Sequence, residues 1–306
     1  MAGNHKPLKV LMSYKHYPMC GGNYFKWAFQ ELGHEVYSVG YFSGDVVPWA
    51  GQPKFPKYVF PPDLAIPTDI PFYPLEKVLE KMPWKPDLIF QVDAGFYLTG
   101  KSDCPNALFA TDPHFLDYHI QHSLVDFFFN PQPNFMAPYP KSILMPWAHD
   151  PNVHKVVPTE ERLYDIAMVG AQYKDRIEAF AALKEKGFRT FSQNGIIYDE
   201  CTLIYNQSKA SFNWSSNNDI PMRIFEGMAY GNLVITNRME GFREMSFKEN
   251  KHYIAFSTID ELLEKADYYL RKYPELGDQI AENGYLAVEE HTYHNRVLQA
   301  LRVMKL

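Results

Sequence analysis

Short apolar runs alternate with amphipathic stretches along most of the chain. Leu8-Lys9-Val10-Leu11-Met12-Ser13-Tyr14 reads as a strand, and Phe25, Ala28, Phe29 and Leu32 recur at helical spacing before Gly33. His34 to Val39 reads as the next strand. Strand, glycine-bearing loop, helix and strand open a Rossmann-like βαβ unit. Residues 43–74 break the rhythm. Pro48, Pro53, Pro56, Pro61, Pro62, Pro67, Pro71 and Pro74 fix φ and remove donors, so regular structure is not expected there. A helix over 75–81, strands over 87–93 and 106–111, a helix over 116–124 and strands over 125–129 and 142–145 complete this half.

The rhythm restarts at 164–169, a strand followed by the turn Gly170-Ala171-Gln172-Tyr173. A helix over 174–186 ends at Gly187. A strand begins at 189–192, a helix covers 202–208 and a strand covers 209–214. Asp219 then reads as a helix N-cap, Pro221 as a first-turn residue and Gly231 as a left-handed C-terminal cap. Leu233-Val234-Ile235 follows as a buried strand. Helices are expected over 259–269 and 274–290. In a final helix over 293–306, Val297, Leu301 and Met304 share one face.

Composition divides the chain. Of its 23 prolines, 21 lie at or before Pro158, and none of its nine arginines precedes Arg162. The linker is therefore expected near 150–158, with domains at 1–154 and 155–290 and a terminal helix at 291–306. A length of 306 residues and 46% hydrophobic content suit two medium domains, each with its own core. A net charge of −6 without a basic run argues against a dedicated duplex-DNA binder. Cys20, Cys104 and Cys201 are too dispersed for a disulfide framework and fit buried thiols in a reducing cytosol. Residues 1–9 show no signal-peptide core, and no apolar run is long enough to span a bilayer, so a cytoplasmic location is expected.

Candidate chemistry gathers at strand ends, where open α/β sheets bind ligands. Asp93, Asp112 and His114 occupy such positions, and His16 and Gly22 lie in the first βα loop. Asp112, His114 or His16 could take a proton from an attacking hydroxyl. Gly21 and Gly22 lack the dinucleotide fingerprint, which disfavours a dehydrogenase. They serve either a turn or a close approach to ligand. His114, His119 and His122 do not form a recognised metal pattern, so no metal is expected. Lys174 and Arg176 open a helix after Gly170, where free N–H groups attract phosphate. Arg223 and Glu226 are three apart on the helix after Asp219, either a surface pair or part of a site.

The ordered words Arg223-x-x-Glu226-x-x-Ala229-x-Gly231, Gly241-Phe242-Arg243-Glu244, Ser257 to Leu262 and Glu290 to Arg296 resemble GT-B glycosyltransferases. More narrowly, they resemble the CgeB-like, or spore-maturation-protein-B-like, branch over about residues 164–301. The resemblance implies two Rossmann-like domains facing across a cleft, with the final helix crossing back over the first. It implies a metal-independent hexosyltransferase using a nucleotide sugar, a UDP-sugar, and no further cofactor. Glu226 falls on the position that holds the donor ribose. Arg223, Arg176, Lys174 and Gly170 fall at the diphosphate clamp, and Gly22 falls beside acceptor and donor phosphates. Many retaining enzymes carry a second glutamate eight residues before the first. Here that position is Asn218, which leaves retention or inversion open. The acceptor is left open among a glycan, a protein, a lipid-linked sugar and a modified nucleobase. A GT-B-like sugar-nucleotide epimerase and a non-catalytic nucleotide-sugar binder are the rival readings.

Overall fold

The computed structural model describes residues 6–47, 54–67, 70–93 and 95–306. Residues 1–5 of the polar N-terminus, Pro48 and Pro53 lie outside them. The chain forms two compact units, Met1–Pro146 with Tyr293–Leu306, and Trp147–Thr292.

The first unit begins with β1 (Lys9–Ser13), α1 (Gly21–Glu31) and β2 (Glu35–Tyr41). β3 (Leu64–Ile66) and β4 (Phe72–Pro74) follow, then α2 (Leu75–Leu79), β5 (Leu88–Asp93) and β6 (Tyr97–Thr99). β7 (Asn106–Ala110), α3 (His119–Leu124), β8 (Phe127–Asn130) and β9 (Ile143–Leu144) complete the run. Seven strands pair in the order β3-β2-β1-β5-β7-β8-β9, all parallel. Every residue of β5 and β7 is buried, which a parallel sheet covered on both faces requires. Phe25 packs 5.0–5.1 Å from Phe109 and Phe90, joining α1 to the sheet centre.

Strands β3 and β4 fall in the proline-rich stretch where none was expected. Pro61, Pro62 and Pro67 flank β3 rather than interrupt it, and β3 is an edge strand, where proline is tolerated. β4 ends on Pro74 and pairs with β6 in a separate two-stranded ribbon.

The second unit contains β10 (Tyr164–Val169), α4 (Lys174–Glu185), β11 (Thr190–Gln193), α5 (Tyr198–Asn206) and β12 (Ser208–Asn213). Then come α6 (Met222–Ala229), β13 (Leu233–Asn237), β14 (Ile254–Phe256), α7 (Ile259–Asp267) and α8 (Pro274–Val288). Its five strands are parallel in the order β11-β10-β12-β13-β14. Ile166, Met168, Phe212, Ile235 and Phe256 form one buried face with Phe180, Leu183 and Leu262. β14 was not anticipated, because three residues carry too little periodicity to register. α5 starts four residues ahead of expectation, at Tyr198.

The ends of α6 differ from expectation at one side. Pro221 occupies the N-cap position, and the Asp219 carboxylate instead accepts from the Ser215 hydroxyl, so Asp219 does not cap the helix. At the other end Gly231 has φ +70°. The N–H groups of Gly231 and Asn232 donate to Met228 and Gly227 carbonyls at 2.9 and 3.2 Å, closing a Schellman motif.

The chain returns to the first unit through α9 (Tyr293–Met304), whose Tyr293 stacks on Tyr24 of α1 at 5.1 Å. The break between the units lies at Pro146, ahead of the expected 154. His149 N donates to His291 O, and Thr202 Oγ1 donates to Val153 O, so 147–154 is built into the second unit. All three cysteines are free thiols. Among the described residues no helix is long and apolar enough to cross a membrane.

Candidate functional site

In the second unit the strand order reverses between β10 and β12, and the crevice outside their carboxyl ends is where such sheets bind ligands. Two arginines bridge it. Arg223 Nε donates to Val169 O at 3.1 Å and its Nη1 donates to Asn213 Oδ1 at 2.9 Å, the last residues of β10 and β12. Arg176 Nη1 donates to Ala171 O at 2.9 Å, while Nε and Nη2 donate to Trp214 O at 2.9 and 2.7 Å. The Tyr173 ring lies 4.8 Å beneath the Arg176 guanidinium. Burial, and then the neighbouring Arg223 charge, lower the Arg176 pKa to about 10. Among the described residues neither guanidinium forms an ion pair with a carboxylate; both lean on carbonyl and amide oxygens. Two adjacent cations in that state favour a bound anion.

Gly170 explains the fit of Arg223. Its φ is +143°, and a Cβ there would stand 2.3 Å from Arg223 Nη2. The bare backbone lets the guanidinium lie across the end of β10. The crevice also receives the N-termini of α4 and α6, and neither is closed by a side-chain cap.

Glu226 stands one turn along α6 from Arg223. Its side chain is 18% exposed, and His154 Nε2 lies 3.4 Å from Oε1. Burial pushes the Glu226 carboxyl up to about 7, against the pull of Arg223. His154 is held neutral, because burial lowers its pKa to about 3.

In the first unit a second set lies at the carboxyl ends of β5 and β7. Asp93 is 1% exposed. Its Oδ1 accepts from Gly95 N and from Phe96 N, the latter at 3.1 Å, and its Oδ2 accepts from Gln121 Nε2 at 3.4 Å. Burial, assisted by the Asp112 charge, raises the Asp93 pKa to about 6. Thr111 Oγ1 donates to Asp112 Oδ2 at 2.6 Å. Tyr118 ties the two strand ends together. Its hydroxyl donates to Asp93 O and accepts from Asp112 N, both at 3.3 Å. His114 follows two residues after Asp112, with its ring 6.0 Å from that of Phe135.

Residues 153–302 match a family described as Glycosyl transferase-like. HepE from Anabaena, solved in complex with UDP-glucose, is 10% identical, with a TM-score of 0.63 over 98% of this chain and 100% of its own. Sucrose-phosphate synthase from Thermosynechococcus elongatus is 11% identical, with a TM-score of 0.58 over 97% of this chain and 98% of its own. A glycosyltransferase from Rickettsia africae is 10% identical, with a TM-score of 0.58 over 98% of both chains. The chain has the GT-B glycosyltransferase fold. None of the curated proteins matches it in sequence.

Within this GT-B fold, the expected donor residues divide. Arg176, Arg223, Gly170 and Glu226 converge at the β10–β12 crevice. Lys174 does not join them; its side chain is 85% exposed and lies 3.8 Å from Glu178. Asn218 is exposed, has φ +55° and accepts from Glu240 N at 3.2 Å.

The first-unit expectations divide too. His16 is 1% exposed and stacks on Tyr14 at 3.8 Å. Burial, with Lys26 adding to it, drops its pKa to about 3, which makes it a poor base near neutrality. Gly22 has a packing reason to be glycine, since a Cβ would stand 2.4 Å from the Tyr14 ring. His122 Nε2 meets Pro140 O at 2.8 Å and His119 N donates to Asp117 at 2.9 Å. Among the described residues no group of three or more His, Cys, Asp or Glu is placed to hold a metal ion. Sequence reasoning did not single out Asn213 or His154. Asn213, polar at the end of a buried strand, carried a signal that could have been read.

Proposed function

We propose that the chain transfers a hexose from a UDP-sugar to an acceptor hydroxyl, as a metal-independent enzyme of the CgeB-like branch. One observation carries the reading. Two guanidiniums that have no carboxylate partner among the described residues bridge the switch point of the second sheet, and Glu226 stands one turn beyond Arg223 on α6. A diphosphate fits the cationic end, and ribose hydroxyls fit the carboxylate. Arg223 and Arg176, with two uncapped helix N-termini, stabilise the charge that develops on the leaving diphosphate. Charge neutralisation by guanidinium groups is what allows the reaction to proceed without a metal. The UDP found with HepE supports uridine as the nucleoside.

In the first unit Asp112 takes the proton of the attacking hydroxyl, and His114 orients or replaces it. Asp93, tuned upward and linked to Asp112 through Tyr118, sets the charge of that corner. The acceptor is a glycan, a protein, a lipid-linked sugar or a modified nucleobase, each offering a hydroxyl.

A thermal-shift panel of nucleotides and nucleotide sugars tests the donor. UDP and UDP-hexoses at about a hundred times their dissociation constant should stabilise the fold by roughly 2.7 kcal/mol. That corresponds to several degrees in Tm. No shift with any nucleotide overturns the reading. Release of an altered nucleotide sugar without acceptor would favour the epimerase instead.

A further inference from the structure

We infer that His154 is a positioning residue for Glu226: its Nε2, 3.4 Å from the Glu226 carboxylate, holds that group, ionised and oriented, for the donor's ribose. The inference rests on the donor reading above and concerns a residue outside the expected site.

The tautomer follows from the turn that carries the histidine. Asp150 N donates to His154 Nδ1 at 2.9 Å, so Nδ1 is the acceptor of the ring. A neutral imidazole with Nδ1 accepting must carry its proton on Nε2. Nε2 is the atom that lies 3.4 Å from Glu226 Oε1. That separation is a few tenths of an ångström beyond a normal N–H···O bond, and such contacts commonly tighten when ligand binds.

The ring has little freedom to point elsewhere. His154 is 5% and Asp150 3% exposed. His154 N donates to Asp150 O at 2.7 Å, and Asn152 N donates to Asp150 Oδ1 at 2.8 Å, which closes the turn. Thr202 Oγ1 ties the preceding carbonyl, Val153 O, to α5 at 2.9 Å. The His154 ring meets the Tyr230 ring edge-on at 5.7 Å, just past the end of α6. A buried imidazole so fixed cannot serve as a cation for Glu226. It serves as a neutral donor.

The arrangement answers a problem of the site. A carboxylate must be ionised to accept from two ribose hydroxyls, yet burial opposes ionisation. Arg223 supplies charge from the same helix. The groups that face Glu226 otherwise are Cys201, Tyr205 and Tyr230, which oppose a negative charge if they ionise and are kept protonated by burial. A neutral N–H favours the carboxylate without adding a charge that would compete with the arginines for the diphosphate. It also leaves Oε2 for the ligand.

Two variants separate positioning from packing. His154→Phe keeps the ring volume and removes the donor; His154→Gln keeps an N–H near the Nε2 position. Calorimetric titration of UDP should be run between pH 5.5 and 9 on the full chain, with far-UV circular dichroism as the folding control. His154→Phe should weaken UDP roughly five- to tenfold at pH 7. It should also move the acid limb of the affinity profile upward by about one pH unit, because loss of the donor raises the Glu226 pKa. His154→Gln should restore the wild-type limb. A His154→Phe profile with an unmoved limb overturns the inference.

The wild-type protein offers a check that needs no variant. Nitrogen-15 imidazole spectra should show His154 neutral in the Nε2–H form at pH 6, with a shift on adding UDP. A protonated ring, the Nδ1–H form, or no response to bound UDP overturns the inference. If wild type fails to bind UDP and Glu226→Gln changes nothing, the donor reading fails instead.

Discussion

In the proposed function Arg223 offers the diphosphate one nitrogen, while the protein holds the other two. Nε and Nη1 are fixed on Val169 O and Asn213 Oδ1, and Nη2 lies across Gly170. Arg223→Ala should therefore weaken UDP by tenfold or more, about 1.5–3 kcal/mol, and barely change uridine binding. Equal losses for both would make Arg223 structural. Glu226 carries an opposite signature. Its proton is held more tightly folded than unfolded, since burial moves the pKa from 4.5 to about 7. Stability therefore falls as pH rises from about 4.5 through 7. Glu226→Gln removes that loss and should raise stability by on the order of 2–3 kcal/mol at pH 8, with the gain vanishing toward pH 4.5. The same variant should weaken UDP several-fold. A variant that loses affinity without gaining stability would refute the buried-carboxylate account.

Two glycines at the level of loop and helix make a contrast. Gly22 sits in the first turn of α1, where a Cβ would meet the rigid, fully buried Tyr14 ring at 2.4 Å. Gly22→Ala should cost roughly 1–3 kcal/mol in denaturant unfolding and leave the UDP affinity of folded protein unchanged. At Gly170 a Cβ would stand 2.3 Å from the guanidinium that Val169 O and Asn213 Oδ1 hold, and the φ of +143° adds backbone strain, so Gly170→Ala should cost both Tm and UDP affinity. The reverse pattern in affinity would reassign both. α6 shows why the helix matters as a unit. Ile224, Phe225 and Met228 are buried while Arg223 and Glu226 face the crevice, and the Gly231 cap hands the chain directly to β13. One short helix thus delivers cation and carboxylate with one turn between them.

At the scale of the whole molecule, each unit is a parallel sheet with its own switch point, at β1–β5 and β10–β12. The second presents arginines. The first presents Asp93 and Asp112, on neighbouring strand ends. Asp112→Asn should lower turnover of a UDP-sugar by about 10²–10⁴-fold with little change in donor affinity. If turnover survives and His114→Ala abolishes it, the base is His114. On the proposed function, in which arginine and helix N-termini neutralise the leaving group, activity should persist in EDTA; rescue of a dead EDTA-treated enzyme by magnesium or manganese would contradict this.

The α/β rhythm and the Arg223–Glu226 helix were legible in sequence because periodicity, proline and glycine act over a few residues. The edges of that legibility are physical as well. β3, β4, β6 and β14 have three residues each, too few for a period, and they exist because a neighbouring strand or ribbon accepts their backbone groups. Lys174 and Arg176 look alike in sequence, two apart at one helix start. The tertiary fold turns Arg176 onto Trp214 O, 38 residues away, and leaves Lys174 in solvent. Nor could sequence tell that Asp219 would be taken by Ser215, that Gly22 answers to Tyr14, or that His154 would lie against Glu226. Those contacts join residues whose proximity is decided by packing, and packing is where the direction, burial and protonation of each side chain are set.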